Sequence, residues 1–496
     1  MSSRGSLYSE IPSAPSHVVT WTGDVTTHVS EPYKKNMFLQ SLYGEDQEKL
    51  TMLTNGTNKE KDDPQNQVQD KDLVECLENS VQFWTDFSKV HYHPQSLYEL
   101  NGLGMDVQEF NNYGIGRDVF SEGLRGEEMN ERLRFFVEEC DHIQGIQFIV
   151  DDSGGFSGVA ADFLESITDD YTNTPVLLYA ARGPGSYMNT ISRKQRISRA
   201  LHDAVSFSRL SSFCKLIVPI GLPFLSRSEA SAFLCIEDEK PYHCSAVYAA
   251  AIHSTSLPFR MEPPGLTDSH FVAGAVDVNG VVQMLAGQAR QNMVAILDVA
   301  MPASSLTGEQ NEQSFPGNLH SLTPEIAEDM EDLQAVESTT IHGALNSGGY
   351  HASISEVKDS VYAAYQRAIK RPMFSHLSVA SCPLPIPLPF PSIFGNLVGQ
   401  HGELLGSPIP GSHSRGSLDV RSIPMAARLR SSSAILPFIE NRLGNLCRFG
   451  IERGTLGVEV VQSWGFGKDE LEDMGEALSK MVLALDPRSQ ISSDSD

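Results

Sequence analysis

The chain has 496 residues, enough for two or three domains and a sizeable core. Hydrophobic residues make up 40% and charged residues 20%, the balance of a globular chain and not of a disordered one. With 37 Lys and Arg against 63 Asp and Glu, the net charge of -26 argues against nucleic-acid binding through a general field and suits a cytosolic protein.

The seven cysteines, at 76, 140, 214, 235, 244, 382 and 447, form no C-x-x-C pair, so free thiols in a reducing compartment are expected. No apolar run of about 18 residues exists, so no membrane-spanning helix is expected. The polar opening Met1-Ser2-Ser3-Arg4-Gly5 lacks the apolar stretch of a secretory signal.

In chain order, residues 1–32 are rich in Ser, Thr and Pro, and Lys34 to Tyr43 reads as the start of a helix or short strand. Residues 44–72 are polar and read as a flexible loop. Val74, Leu77, Val81 and Trp84 recur at helical spacing, with Trp84 and Phe87 as core anchors. Residues 101–123 are punctuated by glycine and read as loop, and Glu127 to Glu139 as helix. A β–turn–α–β unit follows. Ile146-Gln147-Phe148-Ile149-Val150 suits a strand buried on both faces. Ser153-Gly154-Gly155-Phe156-Ser157-Gly158 is a small-residue turn that runs into a helical segment, and Val176-Leu177-Leu178-Tyr179 closes the unit. Such a turn can present backbone N–H groups to an anion, or serve only as a tight strand-to-helix turn. Gly154 or Gly155 is expected at positive φ.

Beyond Tyr179 the pattern predicts a loop through Arg182, a basic helix Ile191 to Leu210, and a strand Lys215 to Ile220. A buried central helix near Ser245 to Thr255 comes next, then a helix from Asp277 to Gln291 and a strand from Asn292 to Val299. Residues 303–340 read as acidic loop and Ser353 to Lys370 as helix. The proline run Pro383 to Pro391 reads as an extended segment packed on its domain, and not as a ligand for an SH3-type groove. Arg415, Arg421, Arg428, Arg430 and Ser431-Ser432-Ser433 read as a solvated basic linker, Gly457 to Val461 as a strand, and Lys468 to Leu485 as an acidic helix. Strands alternating with helices predict an α/β sheet covered on both faces, followed by a mixed domain.

Longer combinations of motifs are more specific. Phe110-Asn111-Asn112-Tyr113 leads to Glu122-Gly123, followed by Glu138-Glu139-Cys140-Asp141, Gln144-Gly145-Ile146-Gln147 and the glycine turn. This order resembles the tubulins. Met1 to Tyr8, Glu31-Pro32, Lys35-Asn36, Phe38 to Tyr43 and Asp151 to Gly158 are closer still to the Misato family, a divergent tubulin-like branch. The likeness spans almost the whole chain and is strongest before about residue 300.

The resemblance implies a tubulin/FtsZ-like fold. Its segments are an N-terminal segment 1–43, a disordered loop 44–72, a nucleotide-domain remnant 73–240, a central helix with a second mixed domain 241–400, a linker 401–432, and a C-terminal strand and helix 433–496. It further implies action in mitochondrial distribution and morphology, spindle assembly and chromosome segregation. The expected setting is the cytoplasm and the mitochondrial surface, with peripheral contact at the outer membrane and tubulin and its folding chaperonin as partners. Relative to the family the chain reads as a shortened form lacking the first strand, loop and helix, with reduced stability as the expected consequence.

The nucleotide contacts carried over by resemblance are Asn111, Asn112, Ser153, Gly154, Gly155, Ser157 and Gly158, with guanine nucleotide as the ligand. Three departures weigh against it. Asp151 and Asp152 would repel a polyphosphate. Phe156 replaces a small residue. Pro219-Ile220-Gly221 stands where tubulins read the base with Asn. Asp277 occupies the region of the hydrolytic acid, and a helix-capping Asp is the better reading. The expected chain is therefore non-catalytic, with a GTP-binding, filament-forming protein as the alternative. His91-Tyr92-His93 has no partner pair for a metal and reads as surface histidines.

Overall fold

The apolar runs of the sequence assemble into two linked sheets. The computed structural model describes residues 36–42, 70–88, 92–100, 110–184, 192–261, 272–287, 292–306, 318–327, 332–346, 348–368, 371–411, 414–452 and 456–486. They fall into two compact units, Met1–Phe110 and Asn111–Asp496. In the first unit a helical turn covers residues 37–42, and helix α1 runs Asp70–Ser80 with Val74 and Leu77 buried. Asp70 and Asp72 suit the first turn of a helix, so α1 starts inside the stretch expected as loop; residues 43–69 lie outside the described residues. Trp84 opens a separate 3-10 turn, Trp84–Asp86, and does not extend α1. The buried Asp86 carboxylate shapes that turn by accepting the Gln82 and Phe83 N–H groups, each at 2.9 Å.

The second unit opens with helices α2 (Tyr113–Ser121) and α3 (Arg125–Glu138). A parallel sheet follows in the order β1 (Ile146–Asp151), β2 (Val176–Ala181), β3 (Leu216–Ile220), with α4 (Phe156–Asp170) and α5 (Arg193–Ser212) as crossovers. Alternate residues of β2 face opposite cores: Leu178 and Ala180 toward α4 and α5, Leu177 and Tyr179 toward the central helix α6 (Pro241–Ser256). This two-sided burial explains why the strand reads as one apolar run.

The second sheet is mixed, in the order β4 (Val272–Ala273), β8 (Phe374–Ala380), β7 (Val336–His342), β9 (Met425–Ser431), β5 (Ile296–Ala300), β6 (His320–Ser321). Helix α7 (Val278–Gly287) precedes β5, and α8 (Ile354–Arg367) connects the parallel pair β7 and β8. The main chain links the two sheets: the Ile217 N–H donates to the Met293 carbonyl at 2.8 Å, and the Ala295 N–H to the Ile217 carbonyl at 2.9 Å. Helix α6 is pinned to both sheets, by Thr255 Oγ1 against Tyr179 Oη at 3.0 Å and by Ser254 Oγ against His342 Nε2 at 2.8 Å. The chain ends in α9 (Leu436–Asn445), α10 (Leu456–Ser463) and α11 (Lys468–Leu485).

Several expectations are corrected. Tyr113–Ser121 is helix and not loop, because Asn112 caps it through the Ile115 N–H at 3.1 Å and its glycines permit close packing described below. Neither Gly154 nor Gly155 has positive φ; Gly155 lies at -59°. Helical bonds begin inside the turn, from Ser157 N–H to Gly154 O and Gly158 N–H to Gly155 O, each 3.0 Å. Gly457 to Val461 belongs to α10, where Val461 joins the core of α4 and α5; tertiary burial overrides β propensity. Residues 425–431, expected in a solvated linker, form the inner strand β9, and Ser431, Ser432 and Ser433 are buried. Residues 336–340, expected as loop, begin the fully buried β7. The proline run does pack as an extended segment, with Leu384 and Ile386 buried and Pro385 and Pro387 exposed.

Candidate functional site

The carboxyl ends of β1, β2 and β3 converge beside the glycine turn, the position at which open parallel sheets bind ligands. Asp151 ends β1 and folds the turn back on itself: its Oδ1 accepts the Ser153 N–H at 2.9 Å and the Ser153 hydroxyl at 2.6 Å. The Ser157 hydroxyl donates to the Gly154 carbonyl at 2.8 Å and is fully buried. Gly154, Gly155 and Gly158 are buried too.

Helix α2 covers the turn with its backbone. A Cβ placed on Gly116 would lie 1.8 Å from the Gly155 carbonyl oxygen, and one on Gly158 would lie 2.4 Å from the Tyr113 carbonyl oxygen. No side chain fits at either position, so these glycines serve the approach of α2 to α4. The seven expected contact residues are thus brought together, Asn111 and Asn112 at the start of α2 and the rest in the turn. Several of their polar side chains already have internal duties. The Asn112 carboxamide oxygen caps α2, and its Nδ2 donates to Asn111 Oδ1 at 3.3 Å. The Ser153 and Ser157 hydroxyls, which a phosphate cradle would use as donors, are thereby spent within the turn. The base-reading position fits no better: the Ile220 side chain is buried in the core and the Gly221 N–H donates to the Leu322 carbonyl at 3.0 Å.

Sequence reasoning missed the group beneath the turn. Arg182, one residue past β2 and buried, sends Nε to Asp152 Oδ1 at 3.0 Å, Nη2 to the Asp152 carbonyl at 3.1 Å, and Nη1 to Asp203 Oδ1 at 2.8 Å. His202 Nε2 reaches the same Asp152 carbonyl at 2.8 Å. Burial alone would raise the Asp203 carboxyl; Arg182, with Arg442 further off, outweighs it and holds it below the usual range. Burial pushes the His202 imidazole down, so the ring is neutral at pH 7 and donates from Nε2. Asp152, expected to repel a phosphate, is thus an ion-pair partner. The sequence signal was a lone Arg directly after the apolar run of β2, and its partners lie 30 and 21 positions away.

Asp277 is the helix cap anticipated for it, accepting the Gly280 N–H at 2.7 Å at the start of α7. His93 Nδ1 accepts the Gln95 N–H at 3.2 Å, and His91 lies outside the described residues. Among the described residues no cluster of His, Cys, Asp and Glu could hold a metal ion, and no helix is long and apolar enough to cross a membrane. No disulfide joins any of the seven cysteines.

Comparison with known proteins places this geometry. The tubulin domain family matches residues 74–261. Protein misato homolog 1 of Bos taurus is 26% identical over 491 residues, covering 94% of this chain and 82% of the relative. The Homo sapiens protein misato homolog 1 is 25% identical over 490 residues with the same coverage. The chain is similar to the Misato proteins along almost its whole length. Protein DML1 of Gibberella zeae is a further relative, 32% identical over 213 residues, 41% of each chain. The fold here is tubulin-like α/β, a parallel sheet with helices on both faces joined to a second mixed sheet. In this chain the Asn-Asn loop and the glycine turn are both present, and the Asn112, Ser153 and Ser157 side chains are bonded within them.

Proposed function

We propose that this chain is a non-catalytic tubulin-like protein of the Misato kind, acting in the cytoplasm and at the mitochondrial surface. It acts in mitochondrial distribution and morphology, and in spindle assembly and chromosome segregation, through contacts with other proteins. Tubulin and its folding chaperonin are the proposed partners, and contact with the outer membrane is peripheral. The observation that carries the non-catalytic part is the glycine turn, covered by the α2 backbone with Asn112, Ser153 and Ser157 bonded internally. The cellular part rests on the likeness to Misato proteins along almost the whole chain.

The test has two arms. The full chain, purified without added nucleotide and then denatured, should release no stoichiometric guanine nucleotide. Cells depleted of their own family member should show a collapsed mitochondrial network that this chain restores. A one-to-one content of GTP or GDP would refute the first arm, and a normal network after depletion the second. A second reading, a GTP-binding filament former, draws on the placement of the glycine turn at the carboxyl end of a parallel sheet; nucleotide-dependent filaments would favour it.

A further inference from the structure

Strand β1 ends the parallel sheet, with β2 on one side and no strand on the other among the described residues. Its pairing uses every second residue. The Ile146 N–H donates to the Pro175 carbonyl at 2.9 Å and the Asp152 N–H to the Ala181 carbonyl at 3.2 Å, and the parallel register carries that pattern through Phe148 and Val150. The N–H and C=O groups of Gln147 and Ile149 therefore point away from β2, along the open edge. The side chains divide in the same way. Val150 lies in the core of α4 and α5, with Ile146 and Phe148 packed against it. Gln147, Ile149 and Asp151 stand on the other face and are exposed, Ile149 by 60%. The apolar run suits burial on both faces, and only one is covered. Leu177 and Tyr179, the register partners of Gln147 and Ile149, are fully buried beside α6, so the cover of that face stops at β2.

Soluble proteins blunt such an edge with Lys, Pro or a bulge. None interrupts β1: Gln147-Phe148-Ile149-Val150 carries no Pro and no basic residue, and its register with β2 runs unbroken from Ile146 to Asp151. We propose that the β1 edge is a docking site for an extended strand of a partner protein, apolar where it crosses Ile149 and basic at its ends. The proposal rests on the reading that this chain works through protein contacts, and names a surface for them. The added strand takes up the outward N–H and C=O groups of Gln147 and Ile149, and one of its side chains covers Ile149. The charge of its ends follows from the flanks of β1: Glu139 and Asp141 are exposed before the strand, and Asp151 at its end. A second copy would set these acids against their own kind, on a chain already at -26, so the fitting occupant is a basic strand and not another β1.

The experiment uses the full chain and a labelled synthetic peptide, Lys-Val-Thr-Val-Thr-Val-Lys, with a control peptide in which Glu replaces both Lys. Fluorescence anisotropy reads affinity, and residue-resolved hydrogen exchange reads the edge. In the free chain the Gln147 and Ile149 amides should exchange fast, and those of Phe148 and Val150 slowly. The basic peptide should slow exchange at Gln147 and Ile149 about tenfold or more. The Glu peptide should bind about tenfold more weakly, a gap that closes as salt rises. Ile149→Pro removes only an outward N–H, which an edge strand tolerates, and should weaken binding about tenfold or more. Ile149→Lys keeps that N–H, sets a blunting charge on the edge, and should weaken binding as far. If the proline variant does not fold, the lysine variant decides. Slow exchange at Gln147 and Ile149 in a monomeric free chain would show an edge already covered, and in a dimer would assign it to a second copy; either result overturns the proposal. So would a basic peptide that does not bind, equal binding of the two peptides, or unchanged affinity in the folded variants. The reading that the chain works through protein contacts is tested separately, by depletion in cells, and survives these outcomes.

Discussion

His342 lies buried on β7 with Nε2 held 2.8 Å from Ser254 Oγ. Burial, then the nearby His253 and Arg260, lowers its pKa to about 4. The unfolded value is about 6.5, so the unfolded chain takes up a proton that the folded one refuses. Stability is therefore complete above about pH 6.5 and is lost as pH falls toward about 4. Between pH 7 and 5 the loss from this one group should be about 2 kcal/mol. Urea unfolding at the two pH values checks it: His342→Gln should reduce the difference by that amount, and an unchanged difference would place the acid sensitivity elsewhere. At Gly116 the constraint is steric and independent of pH. Gly116→Ala drives a Cβ into the Gly155 carbonyl and should cost about 2 kcal/mol or more. Gly287→Ala, with nothing within 4 Å of the new atom, should be neutral or slightly stabilising, and thermal unfolding of the two variants side by side checks both.

Strand β9 runs through the middle of the second sheet with two arginines on one face. Arg428 Nη2 meets Asp298 Oδ2 at 2.7 Å and its Nη1 meets Glu337 Oε1 at 3.0 Å, which ties β9 to β5 and β7. Arg430 Nε adds a contact to Asp298 at 3.2 Å, and the Tyr365 hydroxyl donates to Glu337 from α8 at 2.7 Å. Burial alone would raise the Asp298 carboxyl; Arg430 and Arg428 outweigh it and hold it low. A low folded value keeps the pair intact above the ordinary carboxylate range and releases it only as pH falls through that lower value. Arg428→Ala leaves two buried carboxylates with one arginine, and should cost about 3–5 kcal/mol in denaturant unfolding. A loss under about 1 kcal/mol would mean that solvent reaches the cluster.

At the scale of the whole molecule, a net charge of -26 opposes self-association. The candidate hydrolytic acid, Asp277, is engaged as a helix cap, and no Asn follows β3 to read a base. Light scattering of the concentrated chain with GTP and Mg²⁺ should therefore stay flat, and a nucleotide-dependent rise would refute this.

Fold class was legible in the sequence because period and length carry it. Apolar runs such as Val176-Leu177-Leu178-Tyr179 can be buried only as inner strands, and α11 was legible from Lys468 to Leu485 because caps and apolar period coincide there. The candidate site was legible as a set of residues, since Asn111, Asn112 and Ser153 to Gly158 do gather in one place. Their roles were not, because a glycine that cradles a phosphate and one that admits a helix backbone look alike in one dimension. Gly116 against Gly155 separates the two only when α2 lies on the turn. Charge behaved the same way. Asp152, Arg428 and Arg430 read as a repelling acid and a solvated basic stretch, and became members of partly buried ion pairs once Arg182, Asp298 and Glu337 arrived from distant parts of the chain. Local pattern fixes which backbone forms a strand or helix; the partner of a buried charge is decided by long-range pairing, which only the tertiary structure supplies.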